Sequence, residues 1–421
     1  VRPCEPVNVC VRFWRMRQWR PGGYLRASWK LLVWLLVRAG IQVVMVVTMA
    51  RALGAVDYGT FVAALAVASF FTPLAGLGLG VVVLRDGAAD AQRADVLLRS
   101  AAPMFGRYLF LWVPLAVGAV LWAVPQARLA PLCFAVLAIG EVFGTGAVEL
   151  IARWQQVRES VTAFGATLCT LAFARLAAVA AAIGLSTGVE AAEIALAYGL
   201  ASLGYAAALW LRRRAVWASS DQVLPISVGD GLPFVTGALA LRLQAELNKP
   251  LLVRADAAGA GMLNVVQRII DLATLPLQAL QEALWPRLFG HLDALRRLTL
   301  TGGFVLVCAL AIGAVLWFSA PALPYLFGAS FAGSVDALMM LAAMPAVQTL
   351  RGFANSAVIA CGHSHRLSAV YLCAALMGAV AAVVLIGRFG LPGAVAAMYA
   401  SELALILFCS LAATPCSWMR R

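Results

Sequence analysis

Charged and amide side chains recur at helical spacing inside segments that are otherwise apolar. Within residues 259–285, Asn264, Arg268, Asp271, Gln278 and Glu282 follow one another at steps of 4, 3, 7 and 4. Positions three, four and seven apart share one face of an α-helix, so these five form a single polar stripe. Arg242, Glu246 and Lys249 do the same just upstream, as do Arg38 with Gln42, Glu141 with Thr145 and Glu149, and Gln348 with Arg351 and Asn355. A charge at the centre of a bilayer costs roughly 2.5–3.5 kcal/mol on insertion scales, so such faces must look inward. Two arrangements satisfy them. Either the groups pair, Arg242 with Glu246 and Arg268 with Asp271 on their own helices, and glue a bundle together, or they line a water-filled, net-positive pathway. Five stripes on five segments favour the pathway.

Other chemistries find little support. Lysine occurs only at Lys30 and Lys249, neither preceded by Gly, so no GxxxxGK[ST] phosphate loop exists. The nine cysteines are scattered, without a CxxC or a closely spaced even set, which argues against a disulfide framework. CGHSH at 361–365 brings one Cys and two His together, but structural metal sites want four well-spaced ligands, so a polar loop between helices is the expectation. No metal site and no catalytic residue is expected.

The elements that must position these stripes follow from composition. The 421 residues are 63% hydrophobic and 12% charged, with a mean hydropathy of +0.90; soluble domains have about 45–50% apolar and about 25% charged residues. The apolar residues fall in blocks of about 20, the length of a bilayer-crossing helix. Six spans are expected near 30–50, 59–84, 101–124, 129–151, 161–184 and 190–211. Six more follow near 230–253, 259–285, 299–319, 333–360, 367–387 and 391–412. The chain therefore reads as an all-α polytopic membrane protein. A basic tail (1–29) leads into a first six-helix lobe (30–211), a linker (212–229), a second lobe (230–412) and a short tail (413–421). Residues 1–15 lack the apolar core of a signal peptide, and Met16 offers an alternative start.

Orientation follows from Lys and Arg in the short loops. With the N-terminus cytoplasmic, 21 basic residues fall on the inner side, and only Arg51, Arg128, Arg254 and Arg388 fall outside. Both termini are expected in the cytoplasm. The net charge of +13 mostly reflects this bias, so nucleic-acid binding is not needed to explain it. Arg51 precedes Pro73 by 22 residues, and Arg254 precedes Pro276 by 22. Each pair joins an outer loop to a proline-interrupted span, the second of its half, which suggests a parallel repeat of two six-span halves.

The segment MARALGAVDYGTFVAALAVASFFTPLAGLGLGVVVLR (49–85) resembles the amino-terminal signature of bacterial polysaccharide flippases, the O-antigen and exopolysaccharide exporters of the MATE-like superfamily. TLPLQALQEALWPRL (274–288) is similar to their eighth span. LFGASFAGSVDALMMLAAM, SAVIACGHSHRLSAVY and IGRFGLPGAVAAMYASEL match their carboxy-terminal half in order, and the likeness covers roughly 30–412. Where the family commonly has Asp–Arg or Asp–Lys on the seventh span, this chain has Asn248–Lys249.

The resemblance implies two lobes around a cationic central cavity in the bacterial inner membrane. It also implies a substrate: an undecaprenyl-pyrophosphate-linked oligosaccharide carried from the inner to the outer leaflet. On that footing Arg38, Gln42, Arg242, Lys249, Asn264, Arg268, Gln278, Arg351 and Asn355 are the expected cavity residues, with Gln348 beside them. Guanidinium forks suit a pyrophosphate, and amides suit a glycan. Asp271, Glu282 and Glu402 are candidates for coupling to Na+ or H+; no other cofactor is expected. The expected partners are the lipid-linked substrate, the bilayer, a polysaccharide polymerase and chain-length machinery. Three rivals remain. A multidrug exporter of the same superfamily would want a carboxylate-rich cavity, and a lipid II flippase usually has fourteen spans. A glycan polymerase, ligase or acyltransferase would want a large outer loop or an intramembrane His, whereas His291, His363 and His365 all fall on the inner side.

Overall fold

The structure is a computed structural model that describes residues 21–88, 91–186, 188–213, 224, 226, 228–288, 294–360 and 366–413. These residues are helical and contain no strand, as a chain immersed in hydrocarbon requires when every backbone N–H and C=O must be satisfied within its own segment. The first half comprises α1 (Pro21–Gly76), α2 (Leu79–Gly87), α3 (Ala91–Ala123), α4 (Pro131–Ile139), a π-helical turn (Gly140–Thr145), α5 (Gly146–Arg158), α6 (Val161–Leu185) and α7 (Ala191–Arg212). The second comprises α8 (Val228–Glu246), α9 (Asn248–Leu252), α10 (Ala257–Leu288), α11 (Ala294–Ser319), α12 (Leu323–Phe327), α13 (Ser334–Leu341), α14 (Met344–Ala360), α15 (Leu367–Phe389) and α16 (Leu391–Ala413).

Nine of the described helices are long and apolar enough to cross a membrane. The first, Trp29–Gly76, is two spans joined at a kink, where Gly54 takes φ 69°, a left-handed conformation that glycine adopts without steric cost. The helices α8–α9 and α10, which carry polar stripes, are not among these nine. Counted with them, the described helices group into twelve membrane-length segments, six in each half of the chain. Both lobes start and finish on one face, here termed the terminal face; the turns at Gly54, 124–130, 253–256 and 320–333 lie on the opposite face.

Several expected boundaries move, among them the start of the third span, which lies at Ala91 instead of 101; two moves have a visible cause. The second span stops at Gly76 instead of continuing to 84, because Leu77 (φ 44°) and Gly78 (φ 64°) turn the chain and α2 starts afresh. The fourth runs to Arg158 instead of 151, because the polar RWQQVR continues the helix beyond its apolar block. Most of the 212–229 linker, the CGHSH loop, His291, residues 1–20 and residues 414–421 lie outside the described residues, while residues 21–29 of the expected tail belong to α1.

The packing is uneven across the membrane. One core joins both lobes toward the opposite face: Met49, Tyr58, Phe61 and Tyr198 of the first lobe pack in it with Leu252, Leu263, Phe331 and Leu341 of the second. Toward the terminal face the first lobe has its own core, which takes in Val235, while the second lobe keeps two small separate clusters. The lobes are fused at one end and more loosely joined at the other. Gly231 marks a point of contact near the terminal face, where a Cβ would overlap the Leu77 carbonyl oxygen.

Candidate functional site

The polar stripes converge on two adjacent cavities that share Glu246, Lys249 and Arg268 as a common wall. The interlobe cavity, about 210 Å³, is bounded by α1, α6 and the π-turn on one side and by α8–α10 on the other. The second cavity, about 270 Å³, lies wholly within the second lobe, among α8, α9, α10, α14 and α16.

Charge balance separates them. Arg38, Arg175, Arg242, Lys249 and Arg268 line the interlobe cavity against only Glu141 and Glu246. The second-lobe cavity sets Lys249, Arg268 and Arg351 against Glu246, Asp271 and Glu402. One is cationic; the other is balanced.

Pairing sharpens the contrast. Arg175 donates to the Glu141 carboxylate at 3.0 Å and to Thr145 and Ser202 at 2.6 and 2.9 Å, with its guanidinium 4.3 Å from the Tyr198 ring centroid. Lys249 is paired to Glu246 one helical turn away, and Arg351 to Glu402 across α14 and α16 at 2.8 Å. Arg38, Arg242 and Arg268 form no ion pair and no side-chain hydrogen bond among the described residues. The same-helix pairs Arg242–Glu246 and Arg268–Asp271 are therefore absent: Glu246 is taken by Lys249, and Asp271 opens to the cavity. Three unpartnered guanidiniums facing one cavity have strong unmet capacity for an anion, since each offers five N–H donors.

The remaining sequence candidates spread over both cavities. Gln42 lines the interlobe cavity, and Gln278, Gln348, Asp271 and Arg351 line the second-lobe cavity. Asn264 sits in the interlobe wall, but its amide donates to the Tyr58 hydroxyl at 2.6 Å, bridging the lobes. Asn355 lines neither of these two cavities, and its buried Oδ1 has no partner among the described residues. The side chain of Glu282 lies outside the described residues.

Four contributors escape the stripe analysis. Arg175 and Tyr198 stand alone in apolar helices, Tyr58 reads as core, and Gln267 lies one residue off the α10 stripe. For Arg175 a signal existed, because an ionisable residue inside a span is a functional candidate by default. Glu141 lies in the π-helical turn Gly140–Thr145, a distortion frequent at functional sites. In the second-lobe cavity, Gln267 Oε1 and Glu402 Oε2 are buried oxygens without a donor among the described residues. They are available to a proton, a water or a small cation. Among the described residues no group of three or more His, Cys, Asp or Glu could hold a metal ion.

No protein-family model and no curated protein matches the sequence. Solved structures do match in fold. The lipid II flippase MurJ in an inward closed conformation aligns with a TM-score of 0.70 at 10% identity, over 91% of this chain and 87% of that one. An inward-facing multidrug resistance MATE transporter of the MOP superfamily aligns at 0.59 with 14% identity, over 93% and 95%. The MATE multidrug transporter DinF-BH aligns at 0.57 with 17% identity, over 93% and 94%. Nearly the whole chain thus adopts the two-lobed helical fold of the MATE transporters and of MurJ.

Proposed function

We propose that the protein is a flippase that moves an undecaprenyl-pyrophosphate-linked oligosaccharide from the inner to the outer leaflet of the bacterial plasma membrane, for surface polysaccharide synthesis. The observation that carries this reading is the unpartnered set Arg38, Arg242 and Arg268 in a cavity between two lobes. A substrate with a dense anionic centre supplies the direct anionic partner that these three guanidiniums lack among the described residues. Hydrogen bonds to charged groups contribute about 1.5–3 kcal/mol each, enough for a few to draw a pyrophosphate away from the interface. Gln42 in the cavity wall and water in the cavity serve the sugar.

On this reading the cargo enters from the terminal face, which the 21-to-4 distribution of basic residues makes the expected cytoplasmic side. Turnover is driven by an ion gradient read in the balanced second-lobe cavity, where Asp271 and Glu402 are the exchangeable carboxylates and Na+ or H+ the ion. The chain alters no covalent bond of its cargo, and a polymerase and chain-length machinery act on the delivered units. A cationic interlobe cavity disfavours a cationic drug as cargo.

The test is the chemical structure of what accumulates when the gene is deleted. Complete lipid-linked repeat units held in the inner leaflet support the flippase. Truncated sugar chains, or exported units left unpolymerised, point to a transferase or polymerase and overturn it. Reporter fusions after Arg214 and Arg421 should both read cytoplasmic.

A further inference from the structure

Two of the four basic residues placed on the outer side cross from one lobe to the other in the same way. Arg51, at the turn between the first two spans, donates from Nε to the Leu326 carbonyl at 2.7 Å and from Nη2 to the Tyr325 carbonyl at 2.9 Å. Arg254, at the matching turn of the second lobe, donates from Nε to the Ala123 carbonyl at 3.1 Å and from Nη2 to the Trp122 carbonyl at 2.9 Å. In each case Nε takes the later carbonyl of a consecutive pair and Nη2 the earlier. Trp122 and Ala123 end α3, and Tyr325 and Leu326 lie in the last turn of α12. The acceptors are therefore carbonyls at helix C-termini, which lack partners within their own helix and carry the negative end of its dipole. The Arg254 guanidinium also lies 4.2 Å from the Trp122 ring centroid.

The contact between these clamps has the same two-fold character. A Cβ on Gly59 would run into the Ala257 carbonyl oxygen, and one on Gly261 into the Ala55 carbonyl oxygen. Each glycine thus admits the backbone of the other lobe, at the crossing of the second arm of α1 with α10. The two arginines stand 22 residues before Pro73 and Pro276, so the internal repeat and the clamps are one feature. Tyr58 and Asn264, bonded across the lobes at 2.6 Å beside this crossing, line the interlobe cavity.

We propose that Arg51 and Arg254 are a matched pair of gate residues. By bridging helix ends of opposite lobes, they hold the cavity shut on the face away from the termini until the lobes rock apart. This rests on the transport reading for its purpose. The closure itself is a property of the empty protein and can be measured without cargo.

The experiment places a single cysteine at Val62, a buried residue of the interlobe cavity wall, in a variant whose native cysteines are replaced. A membrane-impermeant maleimide is applied to intact cells and, in parallel, to everted vesicles, so that either orientation of the chain gives an answer. Arg51→Ala and Arg254→Ala should each raise labelling from the opposite face about fivefold, the scale of losing two modest hydrogen bonds. The double variant should exceed both. Arg388→Ala, which removes an exposed outer-side arginine with no side-chain partner among the described residues, should leave the rate unchanged. If the alanine variants fail to accumulate in the membrane, Arg51→Lys and Arg254→Lys keep the charge, lose the two-carbonyl fork, and should show a smaller rise. Parental labelling in every membrane-inserted variant overturns the proposal. Raised labelling combined with normal lipid-linked intermediates would keep the gate and reject the cargo.

Discussion

The two cavities share a wall of three residues yet differ in charge, and the difference lies in what stands opposite that wall. Across the interlobe cavity, the first lobe contributes Arg38 without a partner and Arg175 already committed to Glu141. Within the second-lobe cavity, Arg351 is met by Glu402 on the neighbouring helix, and Asp271 adds a further carboxylate. On the proposed transport reading, a balanced cavity inside one lobe would change little as the lobes rock, which suits reading an ion, whereas a cationic cavity between lobes would open and close with the rocking, which suits carrying an anion. Position relative to the lobe boundary, more than residue type, separates the two cavities.

The widest gap should appear when the shared wall is broken. Arg268→Ala removes an unpaired guanidinium from both cavities and should reduce export about 100-fold, the loss of one or two charge-assisted hydrogen bonds. Export of lipid-linked units, normalised to protein in the membrane, is the measurement. Arg268→Lys should recover only part, since an ammonium cannot fork. Normal export by the alanine variant would mean that the interlobe cavity does not hold the cargo.

Breaking the balance of the second-lobe cavity should act mainly on stability and coupling. Glu402→Gln strips Arg351 of its counter-ion. Losing one partner of a buried pair typically costs 3–5 kcal/mol, and about 2 kcal/mol is expected here because the Arg351 side chain is 27% exposed. Thermal unfolding in detergent reads this. Arg351→Met combined with Glu402→Leu should restore stability while leaving transport insensitive to the ion gradient. If the double variant still responds to the gradient, the coupling carboxylate lies elsewhere.

Glu141→Gln should push the comparison the other way by freeing Arg175 into an already cationic cavity. Binding of a soluble prenyl pyrophosphate should tighten about threefold, the effect of one weakly screened charge, while export slows because release is harder. Unchanged affinity would assign the Glu141–Arg175 pair to packing alone. Smallest of all, Asn355→Ala should leave export within about twofold, the range of an ordinary substitution away from the site. A larger loss would extend the working surface beyond the two cavities.

Much of the fold could be read from the residues because bilayer immersion reduces folding to few choices. Apolar blocks of fixed length must be helices, and polar stripes on them must face inward. The π-helical turn at Gly140–Thr145 could not be read this way, because the two glycines of GEVFGT weaken a helix without specifying a π-turn. Nor could the early end of the second span, where a left-handed Leu77 precedes the expected glycine.

The amino-acid sequence by itself marked this chain as an all-α polytopic membrane protein and put its in-span charges on shared helix faces, and it carried the expectations of twelve crossings and of two halves repeating around Arg51 and Arg254. Those conclusions need only hydropathy, helical period and spacing, which are local properties. Only the tertiary structure decided which charges meet. Arg242 and Arg268 each have an acidic neighbour at helical spacing, yet neither forms an ion pair among the described residues: Lys249 holds Glu246, and Asp271 faces the cavity. Arg351 finds Glu402, 51 residues away in the chain. The division into a cationic cavity and a balanced one is likewise set by which helices of which lobe stand opposite each other. A Coulomb energy depends on distance through space, and that distance exists only after the lobes have packed.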